Sequence, residues 1–337
     1  MRKVLFFLPI MLMFISCEVE FSPNAEWKNV PVVYCMIDQD DDTTWVRVQR
    51  CYLTEGSIYE YGQVSDSINY PQGAITVTLF AYKDGVMKDS MLFQYTERTI
   101  DSGRFANTNQ PFYCFQTRNR LREEYSYVLT VRDASDGSVL ATTDPVPLIK
   151  KTSSDRLFSK PSIIIMNGDT INGGFAFFDN TGASSSTLYC HMKWPHLENA
   201  RLYQPIVRFY FRSQGIIKYV DLKCPPVSSK NNETYYSRDL FLNELKNQLQ
   251  SDTSRKQYIP RVDLYLNCCN EDLNAYLSTV VSGASLSQSR EVYNNIKGGV
   301  GVFASRRTHL YMRMPSDSSS GPRGLLDFLV GLGVGFY

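Results

Sequence analysis

Histidine is scarce in this chain. Only His191, His196 and His309 occur in 337 residues. That leaves little material for a Ser-His or Cys-His nucleophile pair. No Gly-x-Ser-x-Gly elbow occurs either. A zinc site wants three or four ligands, and no Cys-x-x-Cys is present to supply two of them. An excess of either charge is also missing, with 35 basic against 34 acidic residues. Without a basic block or a basic–aromatic stripe, nucleic acid is not expected as a partner. No apolar run reaches the roughly 20 residues of a bilayer-spanning helix. No catalytic set, cofactor site or metal site is therefore predicted, and the chain reads as a non-enzyme. Paired carboxylates stay open, because a β-scaffold can bring two together from distant strands.

What is present begins at the start of the chain. Arg2 and Lys3 precede an apolar stretch from Val4 to Ile15, then Ser16 and Cys17. A basic segment, a short apolar core and a small residue before the cut form a secretory signal. A cysteine directly after that small residue is the lipobox pattern, in which the thiol takes up diacylglycerol. The expectation is a lipoprotein signal peptide over 1–16, lipidation at Cys17, and a tether over 17–29. Several acyl chains on one cysteine anchor a protein stably, where a single chain is marginal.

Seven further cysteines remain: Cys35, Cys51, Cys114, Cys190, Cys224, Cys268 and Cys269. An odd number cannot all pair within one chain. Cys268 and Cys269 are adjacent in a strand-like run, so they point to opposite faces. The set reads mainly as small buried hydrophobes, with room for one or two disulfides in an exported protein.

Aromatics are plentiful, with 22 Tyr and 19 Phe. They suit the pleated surface of a sheet. Strands are predicted over 30–37 and 44–48, joined by an acidic turn, then over 74–81, 86–93, 112–116, 125–131 and 138–143. About seven short strands without helical periodicity predict an antiparallel β-sandwich over 30–149. Two prolines, Pro145 and Pro147, close it. A second β-rich unit is predicted over 150–337. Its strands are placed at 162–166, 174–178, 188–194, 206–212, 216–222, 258–268, 301–305 and 309–314. Two helices interrupt them: Asp239 to Leu249, capped by Ser237, and Glu271 to Val281, capped by Asn270.

Four local patterns invite chemical readings. Asp38, Asp40 and Asp42 alternate as at the start of an EF-hand loop. The sixth position is Thr43 and the twelfth Gln49, so two defining residues are absent, and a solvated acidic hairpin tip is expected. His191 and His196 flank Trp194-Pro195 beside Cys190, at no recognised metal spacing. Gly298-Gly299 and Gly301 follow a loop and precede a strand, the reverse of a phosphate cradle, so a structural turn is expected. In the tail, Leu325 to Tyr337, apolar residues take alternate positions. That period predicts a terminal strand, which either completes a sheet or docks on a partner.

The segment Tyr293-Asn294-Asn295-Ile296-Lys297-Gly298-Gly299-Val300-Gly301-Val302-Phe303 follows a helix carrying Tyr276-Leu277. Together with Asp42 to Val48, Asp66 to Tyr70 and Asp101 to Phe105, it resembles, in order, the Bacteroidota outer-membrane lipoproteins with domain of unknown function 4249. Residues between Tyr219 and Pro260, and the apolar tail, lie outside the resemblance. The resemblance implies an immunoglobulin- or transthyretin-like antiparallel sandwich followed by a second β-rich α+β domain. It implies no catalytic residue. It also implies an outer-membrane location and association with a TonB-dependent transporter. Acids just after the lipid cysteine, here Glu18 and Glu20, fit display at the cell surface, with the periplasmic face as the alternative. The leading expectation is a binding or partner module. A structural adhesin or fimbrial-type subunit is the alternative, and a surface glycan or peptide hydrolase a further one.

Overall fold

A computed structural model of the chain describes residues 28–52, 60, 62, 64–101, 105–118, 120–151, 162–164, 170–172, 189–252, 254–281, 293–314 and 329–337. The signal peptide, Cys17, most of the tether and the strand predicted at 174–178 lie outside these residues.

The fold is mainly β, and among the described residues all but one of the strand pairs are antiparallel. In the first half, β1 (Pro31–Ile37), β2 (Thr43–Arg50), β5 (Gln94–Thr99) and β6 (Asn109–Gln116) form one layer. The other layer holds β3 (Ile75–Lys83), β4 (Val86–Leu92), β7 (Ser126–Asp133), β8 (Val139–Thr143) and the short β9 (Val146–Pro147). Alternation sets the facing. Val33, Cys35 and Ile37 of β1 and Val46 and Val48 of β2 point inward, where they meet Val77, Leu79 and Ala81 of β3 and Leu129 and Val131 of β7. Period-two burial on both layers is what makes the sandwich.

The second half builds a longer sheet from β13 (Leu202–Ser213), β14 (Ile216–Lys223), the short β15 (Val227–Ser228) and β17 (Lys256–Cys269). Gln214 and Gly215, both at positive φ, close the β13–β14 hairpin. A four-stranded sheet holds β10 (Ser162–Ile164), β11 (Thr170–Asn172), β12 (Tyr189–Lys193) and β16 (Glu233–Ser237). A one-turn helix, α1 (Ser65–Ile68), lies in the first half. Helix α2 (Arg238–Leu249) buries Phe241, Leu245 and Leu249 in the second core, and Ser237 Oγ accepts from Leu240 N at 3.1 Å. Helix α3 (Glu271–Val281) is capped by Asn270, whose Oδ1 accepts from Leu273 N at 3.1 Å. Both caps are those the sequence predicts.

Two halves become one fold through β19 (Val300–Met314). The sequence suggests two strands here, at 301–305 and 309–314; the structure has a single 15-residue strand. Its first part runs parallel beside β1, from Val32↔Val300 to Ile37↔Ser305. Its second part runs antiparallel to β17, from Cys269↔Arg306 to Val262↔Met314. The result is a nine-stranded sheet crossing both halves. The unit predicted over 150–337 is accordingly not self-contained: Ile296, in the short β18 (Ile296–Lys297), and Phe303 are buried in the core of the first sandwich.

The glycine segment makes this insertion sterically feasible. Gly301 has φ +126°, and a Cβ there would stand 2.0 Å from Val33 O. Asn295 clamps the turn, its Oδ1 accepting from Phe303 N at 2.9 Å and its Nδ2 donating to Phe303 O at 2.7 Å. The segment is thus a structural turn into the last strand.

The tail packs inside the second half but not as a full strand. Residues 329–331 form one helical turn, and a single parallel bridge joins Phe336 to Lys256. Leu329, Val334 and Phe336 are buried in the second core. Three glycines among the last seven residues favour turns over continuous pairing.

Candidate functional site

The same alternation that fills the sandwich core sets a second row of side chains on the outer face. On β2, Thr43, Trp45 and Arg47 face out while Thr44, Val46 and Val48 face in. On β1, Tyr34 and Met36 face out. Strand β6 lies next to β2, and β5 next to β6, with Thr96 opposite Phe112 and Arg98 opposite Gln110. This brings Phe112 and Arg98 onto the outer face as well. Together with Arg306 from β19 they line an open cavity of about 520 Å³, within the size range of small-ligand sites.

Arginines and rings alternate across this cavity. The Arg98 guanidinium carbon lies 5.0 Å from the Trp45 ring centre, and that of Arg47 lies 5.8 Å from Phe112. Trp45 and Phe112 meet edge to face at 6.3 Å. Tyr34 meets Tyr276 of α3 in the same way, also at 6.3 Å. At these distances the guanidinium charges are attracted to the ring faces.

The electrostatics are unbalanced. Arg306 donates to Asp41 Oδ2 at 2.9 Å, the one carboxylate of the lining. Among the described residues no carboxylate pairs with Arg47 or Arg98. Arg47 Nε is closed off from solvent without a hydrogen-bond partner. Burial pulls its pKa down, and Tyr34 only partly opposes this. The charge on Arg47 is thus held at a cost that an incoming anion would offset. Cys35 also borders the cavity, but its side chain points into the sandwich core and burial pushes its thiol pKa up, which argues against a nucleophile there. Chemically, the arrangement is suited to hold an anion against rings.

Met36 and Arg306 also line a smaller neighbouring cavity of about 240 Å³ between α3 and β17. Asn267 lines it, and its Oδ1 is buried without a partner among the described residues.

The acidic loop 38–42 is a solvated tip in part: Asp40 and Asp42 are exposed, but Asp38 is not. Asp38 is 2% exposed, and its Oδ1 accepts from Asp40 N at 3.0 Å. Asp41 is held by Arg306, and Asp40 by Arg307 at 2.9 Å. Arginines on β19 thus engage two carboxylates of the loop, Asp40 and Asp41.

The histidines are not brought together among the described contacts. His191 Nε2 pairs with Glu233 at 3.0 Å and its ring stacks on Tyr235, while Tyr203 Oη meets His196 Nδ1 at 3.4 Å. His191 stands on β12, in a different sheet from the strand that carries His309. Cys35, Cys51, Cys114, Cys224, Cys268 and Cys269 are free thiols, with no disulfide among the described residues.

The sequence pattern contained a signal for this cavity that composition hides. Once Thr44 to Val48 is read as a strand, its period of two places Trp45 and Arg47 on one face and Val46 and Val48 on the other. Arg98 was not legible, because Gln94–Thr99 is polar on both faces and gives no strand period.

No family model matches the chain. No curated protein matches it either. Among solved structures, it is similar to the crystal structure of chicken CNTN1 FN1-FN3 domains, at 9% identity and a TM-score of 0.24, over 85% of this chain and 67% of that one.

Proposed function

We propose that the chain is a non-enzymatic outer-membrane lipoprotein that acts as a binding module, with the arginine–aromatic cavity as its ligand site. In this reading Cys17 carries the diacylglycerol, and the fold stands at the cell surface on a short tether. The resemblance to Bacteroidota lipoproteins with domain of unknown function 4249 supports that address and suggests a TonB-dependent transporter as the neighbour. The observation that carries the binding role is Arg47, a partly buried guanidinium without a carboxylate, set between rings in a 520 Å³ cavity.

The anchor is tested by fractionating cells that make the Cys17→Ala protein. The variant should fold and leave the membrane; membrane retention overturns the lipobox. Purification of the wild-type protein from solubilised outer membrane tests the transporter. A barrel protein should accompany it, and recovery of the lipoprotein alone removes that association.

One observation favours the structural-subunit reading. Strand β14 is an edge of the long sheet, and Ile216 and Ile217 on it are 64% and 57% exposed. Free edges of this kind pair with added strands. Concentration-dependent assembly that an Ile217→Lys change abolishes would establish it; a monomer at all concentrations would remove it.

A further inference from the structure

We infer that the cavity takes a carboxylate-bearing ligand built on a ring: the acid meets Arg47 and Arg98, and the ring lies beside Trp45, Phe112 and Tyr34. This rests on the ligand-site reading above and adds the chemistry of the occupant.

Charge comes first. The lining holds three guanidiniums, Arg47, Arg98 and Arg306, against the single carboxylate of Asp41. The lining therefore favours negative charge. Geometry comes second. A guanidinium is a flat fork that matches a flat two-oxygen acid, in a way a lysine would not. Asp41 on Arg306, at 2.9 Å, is already a carboxylate bound on this surface. The neighbouring guanidiniums, close to the Trp45 and Phe112 rings, offer the same chemistry to a molecule from outside.

Lability comes third. The Arg306 and Asp41 side chains are 46% and 39% exposed, and an ion pair this wet is weak. A ligand acid can therefore compete for Arg306 as well. Burial supplies the remaining drive. The Nε of Arg47 is dry and unpaired, so each bond the ligand makes to that guanidinium acts on an under-solvated charge. The rings give the body of the ligand an apolar wall. Such an acid can come from a uronic-acid saccharide or from an aromatic acid, and the cavity chemistry is common to both.

Calorimetric titration of the folded, tag-purified soluble Cys17→Ala protein separates these. The probes are a galacturonic acid trimer and indole-3-acetate, each beside its neutral counterpart, the methyl-esterified trimer and indole-3-acetamide. Indole-3-propyl phosphate serves as the phosphate arm. At least one acid should bind with a dissociation constant of millimolar or below, and which acid binds names the source. Its neutral counterpart should bind at least about tenfold more weakly, and added salt should weaken the acid. Arg47→Gln and Arg98→Gln should each weaken it about tenfold, as expected for one lost charge-assisted bond. Arg47→Lys should retain part of the affinity. Val139→Thr, an exposed residue on the opposite layer of the sandwich, should change nothing. Tighter binding of the phosphate than of either acid overturns the carboxylate assignment, as does unchanged affinity in both folded glutamine variants. Binding of the neutral probes alone, lost in Trp45→Ala, overturns the carboxylate but leaves the cavity as a ligand site. No binding by any probe overturns both.

Discussion

Arg307 donates from Nη1 to Glu123 at 2.6 Å, although its side chain is only 2% exposed. The same guanidinium reaches Asp40 through Nε at 2.9 Å and the carbonyl of Ile149 at 2.9 Å. It stands where β19 passes from one half to the other, so it ties the acidic loop, the residues before β7 and the end of the first sandwich to one strand. Removing one member of a buried ion pair costs about 3–5 kcal/mol. Here Glu123 and Asp40 keep some water access, with side chains 27% and 47% exposed. Arg307→Ala should therefore cost about 2–3 kcal/mol, the lower end of that range or just below it. Urea unfolding measures it, and a loss below about 1 kcal/mol would show the network to be peripheral.

Asp38 gives the loop a pH signature. Burial raises its pKa to about 6, and the neighbouring Asp41 and Asp40 add to the rise against the bond from the Asp40 amide. In the unfolded chain the group titrates near 4. Between these two values the folded state holds a proton that the unfolded state has lost, so stability rises as pH falls from about 6 towards about 4. Glu123 works the other way. Burial would raise its pKa, but the bonds from Arg307, the Lys151 amide and Gln39 outweigh burial and hold it below the ordinary glutamate value. Its contribution is lost as pH falls through that depressed value. Stability should peak on the acid side of neutrality, and Asp38→Asn should flatten the rise. Unfolding midpoints measured from pH 4 to pH 8 test this; a wild-type profile unchanged by the substitution would refute it.

Gly301→Ala tests the insertion of β19. Its Cβ would lie 2.0 Å from Val33 O, with φ at +126°. Neither can relax without parting β1 from β19, so the loss should reach about 3 kcal/mol or more. Gly331→Ala is the control, since nothing lies within 4 Å of a Cβ there. It should stay within about 0.5 kcal/mol of the wild type. Equal stability of the two variants would mean that the close approach is not needed.

Much of the fold was legible where one face of a strand or helix is buried. The two helix caps and the alternating strands of the first sandwich follow from local pattern. The continuity of β19 did not, because Arg306, Arg307 and Thr308 interrupt the apolar alternation at the point where the strand crosses between halves. Arg307 is buried there by distant carboxylates, which no local period reveals. The cavity was half legible. Trp45 and Arg47 share a face by alternation, but Arg98 and Arg306 reach it only through pairing with strands far away in sequence.

The tail supplies a further check. Phe336 is 6% exposed and packs edge to face on Phe209 and Phe211, each at 6.0 Å. Beside it Lys256, fully buried, donates Nζ to Val334 O at 2.9 Å and to Ser254 O at 3.0 Å. Phe336→Ala should cost about 3 kcal/mol or more, as for other core phenylalanines. Calorimetry reads the loss as a fall in Tm. A neutral outcome would place the tail outside the cooperative unit.

The parallel pairing of β1 with β19 also bears on when the chain can fold. β1 has β2 as a partner almost at once, but its other edge stays open until the chain has been made as far as Val300. Contacts that close so large a loop form slowly. A sheet of this topology is completed only late in synthesis, which is compatible with the exported lipoprotein proposed above. The open edge of β1 is a site for mispairing in the meantime, and a holding chaperone would have most to do there.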